Sequence, residues 1–315
     1  MIQKSTAFLQ LIRFPNLLIV VLTQYLVYYF VFVNNLRQVG LETQLNWLEM
    51  TGLVIATLCI AAGGYVINDI LDREIDRINK PEKMIVERVF SVSTAMWMYT
   101  GSIVIGAVLS TYLAIKTSNL PLLSLYPIAV LLLYLYSKYF KKSFLIGNWI
   151  VGFFCAFVAG IVWVGERGSL GEYYTTQISL LQPVPPWGYL HQLMLFYIGF
   201  AFFSTTYREI IKDLEDVEGD RLGNCQTLPI VWGIEKGKQI AIASGLILLS
   251  IVVLFILKVL FFWDRQIILI ITLMLPILYS LFLTYKAKTK ADFHKISQFI
   301  KILMLLGLVM LIWLA

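Results

Sequence analysis

The chain has 315 residues, 59% of them hydrophobic and only 14% charged, with a formal net charge of +6. Soluble domains carry about a quarter charged residues, so a soluble core is excluded and the bilayer must act as the solvent. The positive balance does not point to nucleic acid, because the bases sit between apolar stretches, as expected of membrane loops.

Spanning a bilayer as a helix takes about 20 apolar residues. Stretches of that kind are predicted at 14–33, 49–67, 94–115, 120–137, 144–164, 189–206, 238–262, 266–284 and 298–315. The expected fold class is therefore all-α: a polytopic bundle of about nine transmembrane helices forming one domain over residues 1–315, without a soluble module. The first stretch has transmembrane length and no small-residue cleavage site after it, so a cleavable leader is not expected. The short turn at 116–119 makes the third and fourth stretches an antiparallel hairpin. Pro127 and Pro276 fall inside stretches, where neighbouring helices can absorb a kink. Two polar segments, about 68–93 and 207–237, read as long loops. A third, about 165–188, holds Pro183, Pro185 and Pro186 and reads as a plain connector.

Charge assigns the orientation. With the N-terminus in the cytoplasm, 19 of the 25 bases fall on that face, in clusters such as Arg73, Arg77, Lys80, Lys83 and Arg88 or Lys286, Lys288, Lys290 and Lys295. Five fall on the other face: Arg37, Lys116, Arg167, Lys258 and Arg265. Such an excess marks the cytoplasmic side. The three cysteines, Cys59, Cys155 and Cys225, are too scattered for a metal site or a disulfide framework. His191 and His294 are lone histidines near helix starts, read as interface residues away from any motif.

Chemistry concentrates in two runs. After the second stretch comes Asn68-Asp69-Ile70-Leu71-Asp72-Arg73-Glu74-Ile75-Asp76-Arg77. After the sixth comes Arg208-Glu209-Ile210-Ile211-Lys212-Asp213-Leu214-Glu215-Asp216-Val217-Glu218-Gly219-Asp220. Asp69, Asp72 and Asp76 are spaced i, i+3, i+7, and Asp213, Asp216 and Asp220 repeat that spacing 144 residues later. On a helix these offsets lie within about 60° of one another, so each motif would present three carboxylates on one face. A charge at membrane depth costs about 2.5–3.5 kcal/mol on insertion scales, and clustered carboxylates repel. Hard divalent cations relieve both problems; Mg²⁺ takes oxygen ligands and bridges one or two carboxylates to substrate phosphates. The interleaved Arg73, Arg77, Arg208 and Lys212 would receive the remaining charge of a diphosphate. Acids mixed with bases at span ends suit a metal and a diphosphate better than a cation-coupled transporter, whose acids belong near the bilayer midplane. A soluble prenyl-chain elongase also uses aspartate-rich motifs, but it would not need nine spans.

On these residues the chain resembles the UbiA superfamily of intramembrane prenyltransferases. The family pattern N-D-x-x-D-x-x-x-D stands at Asn68–Asp76 and continues into Asn79-Lys80-Pro81; D-x-x-D-x-x-x-D stands at Asp213–Asp220, followed by Thr227-Leu228-Pro229. Arg13-Phe14-Pro15-Asn16 opening the first stretch, and Tyr136-Ser137 with Lys141-Lys142 closing the fourth, are similar as well. The resemblance implies nine helices around a central cavity capped by cytoplasmic loops. It implies Mg²⁺, two ions, held by Asn68, Asp69, Asp72 and Asp76 and by Asp213, Asp216 and Asp220. It implies diphosphate contacts from Tyr136, Ser137, Lys142, Arg208 and Lys212, with Arg77 and Lys80 further candidates, and an acceptor or tail pocket near Arg13 and Asn16. The partners implied are a prenyl diphosphate donor, a lipid-like or aromatic acceptor, and membrane lipids. Tyr25, Tyr28, Tyr65 and Trp149 are candidate cavity aromatics. The second motif is most similar to the branch that forms geranylgeranylglyceryl phosphate ethers, with aromatic or quinone-precursor acceptors as the alternative. Relatives of that branch follow N-K-P with an Arg-Pro-Ile-Pro-Ser-Gly-like run, where this chain has Glu82-Lys83-Met84-Ile85-Val86-Glu87-Arg88. The sequence assigns no oligomeric state, tail length or general base.

Overall fold

The computed structural model describes residues 4–79, 82, 84–179, 188–223, 225–260 and 262–314. They are helical nearly throughout, with no β-strand among them; Val86 and Phe90 form an isolated bridge. In chain order the helices are α1 (Lys4–Leu11), α2 (Phe14–Gln38), α3 (Trp47–Asn79), α4 (Val92–Lys116), α5 (Leu120–Lys138), α6 (Ile146–Gly165), α7 (Arg167–Ser179), α8 (Tyr189–Glu215), α9 (Val217–Leu222), α10 (Leu228–Trp232), α11 (Ile234–Lys258), α12 (Trp263–Lys286) and α13 (Lys290–Leu314). Among the described residues, α2 to α6 and α11 to α13 are long and apolar enough to cross a membrane, eight helices in all. The ninth expected span is α8, whose 27 residues include His191, Gln192, Ser204, Thr205 and Thr206 within its membrane-depth portion. Those polar residues lower its hydropathy. They are tolerated because α8 packs among other helices, with buried residues along most of its length. Large apolar side chains such as Trp97, Ile115 and Leu257 are at least 70% exposed. That is a penalty in water but not against lipid, and the protein is an integral membrane protein.

All three long segments read as loops or connectors carry helix among the described residues, and 207–237 is helical nearly throughout. The first motif lies in the last turns of α3, an unbroken 33-residue helix. The outer connector contains α7, and its prolines at 183, 185 and 186 lie outside the described residues.

The chain forms two compact units. The first comprises Met1–Tyr25, Thr43–Lys141 and Val164–Gly168. Here α3 and α4 run closely side by side. A Cβ added at Gly106 would stand 3.3 Å from the Ala56 carbonyl oxygen, so glycine permits this approach. Polar groups cross-link the unit at membrane depth: Gln24 Nε2 donates to Thr57 Oγ1 at 3.0 Å, and Tyr25 and Thr51 hydroxyls pair at 2.8 Å. The turn at 117–119 joins α4 to α5 as expected. At that end the wholly buried Glu166 carboxylate accepts the backbone N–H groups of Gln44 (2.8 Å) and Leu45 (3.1 Å), tying 43–46 to 164–168.

The second unit comprises Leu26–Glu42, Lys142–Trp163 and Ser169–Ala315. Helix α8 packs against α11 and α13. Phe196 stacks on Phe255 with ring centroids 4.0 Å apart, and the wholly buried Tyr207 pairs its hydroxyl with Thr284 at 2.6 Å. A Cβ at Gly307 of α13 would meet the Phe200 ring at 2.2 Å, so that crossing demands glycine. Wide π turns occupy 27–33 of α2 and 270–274 of α12. The second directly precedes Pro276, whose ring clashes with the carbonyl four residues back in a regular helix; widening the turn makes room for it. In the first, the buried Asn35 amide donates to the carbonyls of Phe30 (3.2 Å) and Val31 (2.9 Å).

Candidate active site

In the first unit, the motif carboxylates are met by cations from other elements. Asn68 Nδ2 donates to Asp72 at 3.0 Å, and Lys141, just past α5, forms a short ion pair with the same carboxylate. Arg13 interrupts the chain between α1 and α2 in the left-handed region (φ 51°), which turns its side chain onto the last turns of α3. Its guanidinium lies 3.6 Å from Asp69 and 4.7 Å from the centre of the Tyr65 ring, whose hydroxyl also accepts from Asn16 at 3.4 Å. Arg13 and Asn16 thus stand beside the first motif, with Tyr65 between them. Asp76 is half-buried on the same helix. Arg73 and Arg77 turn to Glu87, at 3.7 and 2.6 Å, and the hydrogen bond to Glu87 raises the Arg77 pKa above its ordinary value. Tyr136 and Ser137 close α5, with Ser137 buried. Lys80 lies outside the described residues.

In the second unit, the helix carrying the motif breaks. Helix α8 ends at Glu215, Asp216 is its non-helical cap (φ −103°, ψ 18°), and α9 restarts at Val217. The three aspartates therefore do not share one helical face, as the first three do. Asp213, beyond the apolar stretch of α8, accepts from the Asn148 amide at 2.8 Å. Its pKa is pushed up to about 7, chiefly because burial disfavours the charged form, against the opposing hydrogen bond from Asn148. Asp220 accepts from the Thr227 hydroxyl at 3.1 Å, and Asp216 lies 3.6 Å from Lys290. His294 Nδ1 pairs with Glu215 at 2.8 Å, so this histidine stands at the second motif, contrary to its reading as a remote interface residue. Its approach depends on α13, 79 residues away in sequence. Arg208 and Lys212 both bond Glu209, at 3.0 and 2.8 Å, yet the Arg208 Nε is buried without a hydrogen-bond partner among the described atoms. Lys142 offers its backbone carbonyl to the Gln226 N–H at 2.8 Å, which ties it to the turn that follows the motif.

The structure adds Lys141, Asn148, Glu87 and Glu209 to the residues expected from sequence. Lys141 and Glu209 had a signal, because each lies inside a quoted motif. Asn148 and Glu87 had none beyond their polarity. Among the described residues no three His, Cys, Asp or Glu side chains converge into a ready-made metal cage. The donor set is instead hard oxygen from separate aspartates, including the half-buried Asp213. It fits Mg²⁺, which keeps several waters and uses few protein carboxylates together with substrate phosphates. The orphan Arg208 N–H fits an anion beside it, since a buried donor without a partner is costly.

The model of the UbiA prenyltransferase family matches residues 39–312. The chain belongs to the UbiA prenyltransferase family. Membership makes it a prenyltransferase. It is 29% identical over 265 residues to the digeranylgeranylglyceryl phosphate synthase of Methanosphaera stadtmanae, covering 82% of this chain and 85% of that one. A solved structure concerned with "Digeranylgeranylglyceryl phosphate synthase in membranes" superposes with a TM-score of 0.73 at 26% identity, over 99% of this chain and 98% of the other. A UbiA homolog from Archaeoglobus fulgidus bound to GPP and Mg²⁺ shares the fold, with a TM-score of 0.57 at 15% identity over 98% of this chain and 99% of that one.

Proposed function

We propose that this protein transfers a geranylgeranyl or similar prenyl group from its diphosphate to a glyceryl phosphate lipid. The N-terminus and both aspartate motifs face the cytoplasm, and the chain works as one domain over residues 1–315. The observation that carries the reading is the second motif: a half-buried Asp213 carboxylate that accepts the Asn148 amide, and a buried Arg208 N–H without a partner among the described atoms, within two helical turns of each other. One calls for a cation and the other for an anion. The orientation is supported by the 19 bases assigned to one face. The acceptor is supported by the identity with a digeranylgeranylglyceryl phosphate synthase, and Mg²⁺ by the homolog that binds it with GPP.

Asn68, Asp69, Asp72 and Asp76 of the first motif and Asp213, Asp216 and Asp220 of the second would hold two Mg²⁺ ions, which would supply positive charge to stabilise the departing diphosphate. Arg208 donates to a diphosphate oxygen through its orphan N–H, with Lys212, Lys142, Tyr136 and Ser137 supplying further donors. The allylic C1–O bond breaks, and its electron pair stays with the diphosphate. A lone pair of the acceptor hydroxyl oxygen forms the new bond to C1, and the proton of that hydroxyl passes to the released diphosphate. Apolar helix faces hold the isoprenoid tail and exclude water that would otherwise capture C1.

The test uses purified full-length protein with Mg²⁺, radiolabelled geranylgeranyl diphosphate and a panel of acceptors. The expected result is transfer to geranylgeranylglyceryl phosphate. Transfer only to aromatic acids or quinone precursors would overturn the acceptor. No transfer at all, with ion flux in liposomes abolished by Asp72→Ala and Asp216→Ala, would establish a transporter instead.

A further inference from the structure

Residues 85–90 form a closed turn beside the end of α3. Three backbone bonds close it: Glu87 N–H to Phe90 O at 2.8 Å, Val89 N–H to Ile85 O at 2.9 Å and Phe90 N–H to Ile85 O at 3.2 Å. Its inner side is anchored. Val86 is 2% exposed in a cluster with Leu11, Val66, Ile67, Ile70 and Ala95, and Ile85 and Phe90 pack against that cluster. At the tip, Glu87 holds the left-handed region at φ 76°, where a side chain other than glycine is strained. Such strain persists where the surroundings over-determine the conformation, and it gathers at functional positions. Both Glu87 oxygens are used: Oε2 lies 2.6 Å from Arg77 and Oε1 lies 3.7 Å from Arg73. Those arginines alternate with the aspartates of the first motif.

An isolated surface ion pair contributes little. This one differs in three respects: one carboxylate serves two bases, its backbone is strained, and its turn is bolted to a buried cluster. The pairing also withdraws two positive charges from carboxylates already met by Arg13 and Lys141. Left loose, Arg73 and Arg77 would compete there with any bound cation.

We propose that Glu87 is a positioning residue for prenyl transfer, which uses Arg73 and Arg77 as struts fixing the 85–90 turn beside the first motif, so that Arg77 acts through Glu87 and not on the diphosphate. The proposal rests on the prenyl-diphosphate reading above. Two measurements on the full chain test it, using Glu87→Gln, Arg77→Gln and the double variant. In steady-state transfer with geranylgeranyl diphosphate, Glu87→Gln raises the donor KM about three- to tenfold with kcat within about twofold. Arg77→Gln has no greater effect, and the double variant matches Glu87→Gln. A larger KM effect from Arg77→Gln, or an additive double variant, would mean that Arg77 touches the diphosphate, and the proposal falls. The second measurement is limited trypsin cleavage after Arg88, which needs no activity. Each variant cleaves faster than wild type, by about tenfold for Glu87→Gln if the turn opens by roughly 1.4 kcal/mol; unchanged cleavage overturns the strut. If wild type transfers nothing, the prenyl-transfer reading fails, and cleavage still decides the strut.

Discussion

The two aspartate motifs share a spacing and differ in almost everything that surrounds them. The first rides an unbroken helix and is met by cations: Arg13 at Asp69 and Lys141 at Asp72. The second straddles a helix break at Asp216 and is met by the Asn148 amide at Asp213, the Thr227 hydroxyl at Asp220 and the exposed Lys290 at Asp216. In both, a glutamate gathers two neighbouring bases, Glu87 taking Arg73 and Arg77 and Glu209 taking Arg208 and Lys212. Equal spacing therefore does not imply equal electrostatics. A cationic partner favours the charged form of a carboxylate, whereas desolvation at Asp213, offset in part by one amide, disfavours it.

That contrast can be broken most forcefully at the carboxylates themselves. Asp72→Ala and Asp213→Ala should each lower kcat/KM for transfer by about a hundredfold or more, because each removes a proposed ligand whose ion stabilises several kcal/mol of transition-state charge. An Asp213 variant within tenfold of wild type would make the second motif structural. A sharper cut is Asn148→Leu, which leaves the carboxylate and removes its donor. It should raise the Mg²⁺ needed for half-maximal activity about tenfold, the usual scale for a group that orients a metal ligand. The Asn148 bond favours the charged form, so its loss raises the Asp213 pKa further, and as pH falls the Mg²⁺ requirement of the variant should begin to climb at a higher pH than that of wild type. The smallest effect is expected from Arg13→Gln. Its guanidinium is 45% exposed and 3.6 Å from Asp69, so the change should cost under about 1 kcal/mol in thermal stability. A donor KM raised much beyond fivefold with unchanged stability would show that Arg13 contacts substrate instead.

Sequence legibility followed the same division. Among the described residues the apolar stretches located eight helices long and apolar enough to cross a membrane and the start of α8, and the hairpin turn fell where Lys116–Asn119 indicated. The aspartates, the bases interleaved with them, and the likeness to the UbiA family were read from contiguous residues. Asn148 was not, because it meets Asp213 from another helix, 65 residues away. Neither was His294 at Glu215, nor the break at Asp216, which the i, i+3, i+7 spacing conceals by assuming a continuous helix. The run after Pro81, where the chain departs from the pattern of its relatives, gave no hint that Glu87 gathers two arginines.

The physical reason is the range over which each choice is made. In lipid every backbone N–H and C=O must be satisfied within the segment, so apolar length alone dictates a helix. That is a local decision, and the sequence by itself determined it. Whether a given carboxylate meets an ammonium, an amide or a hydroxyl depends on which distant side chain the packing delivers. Only the tertiary structure decided that, through Lys141 for Asp72 and Asn148 for Asp213.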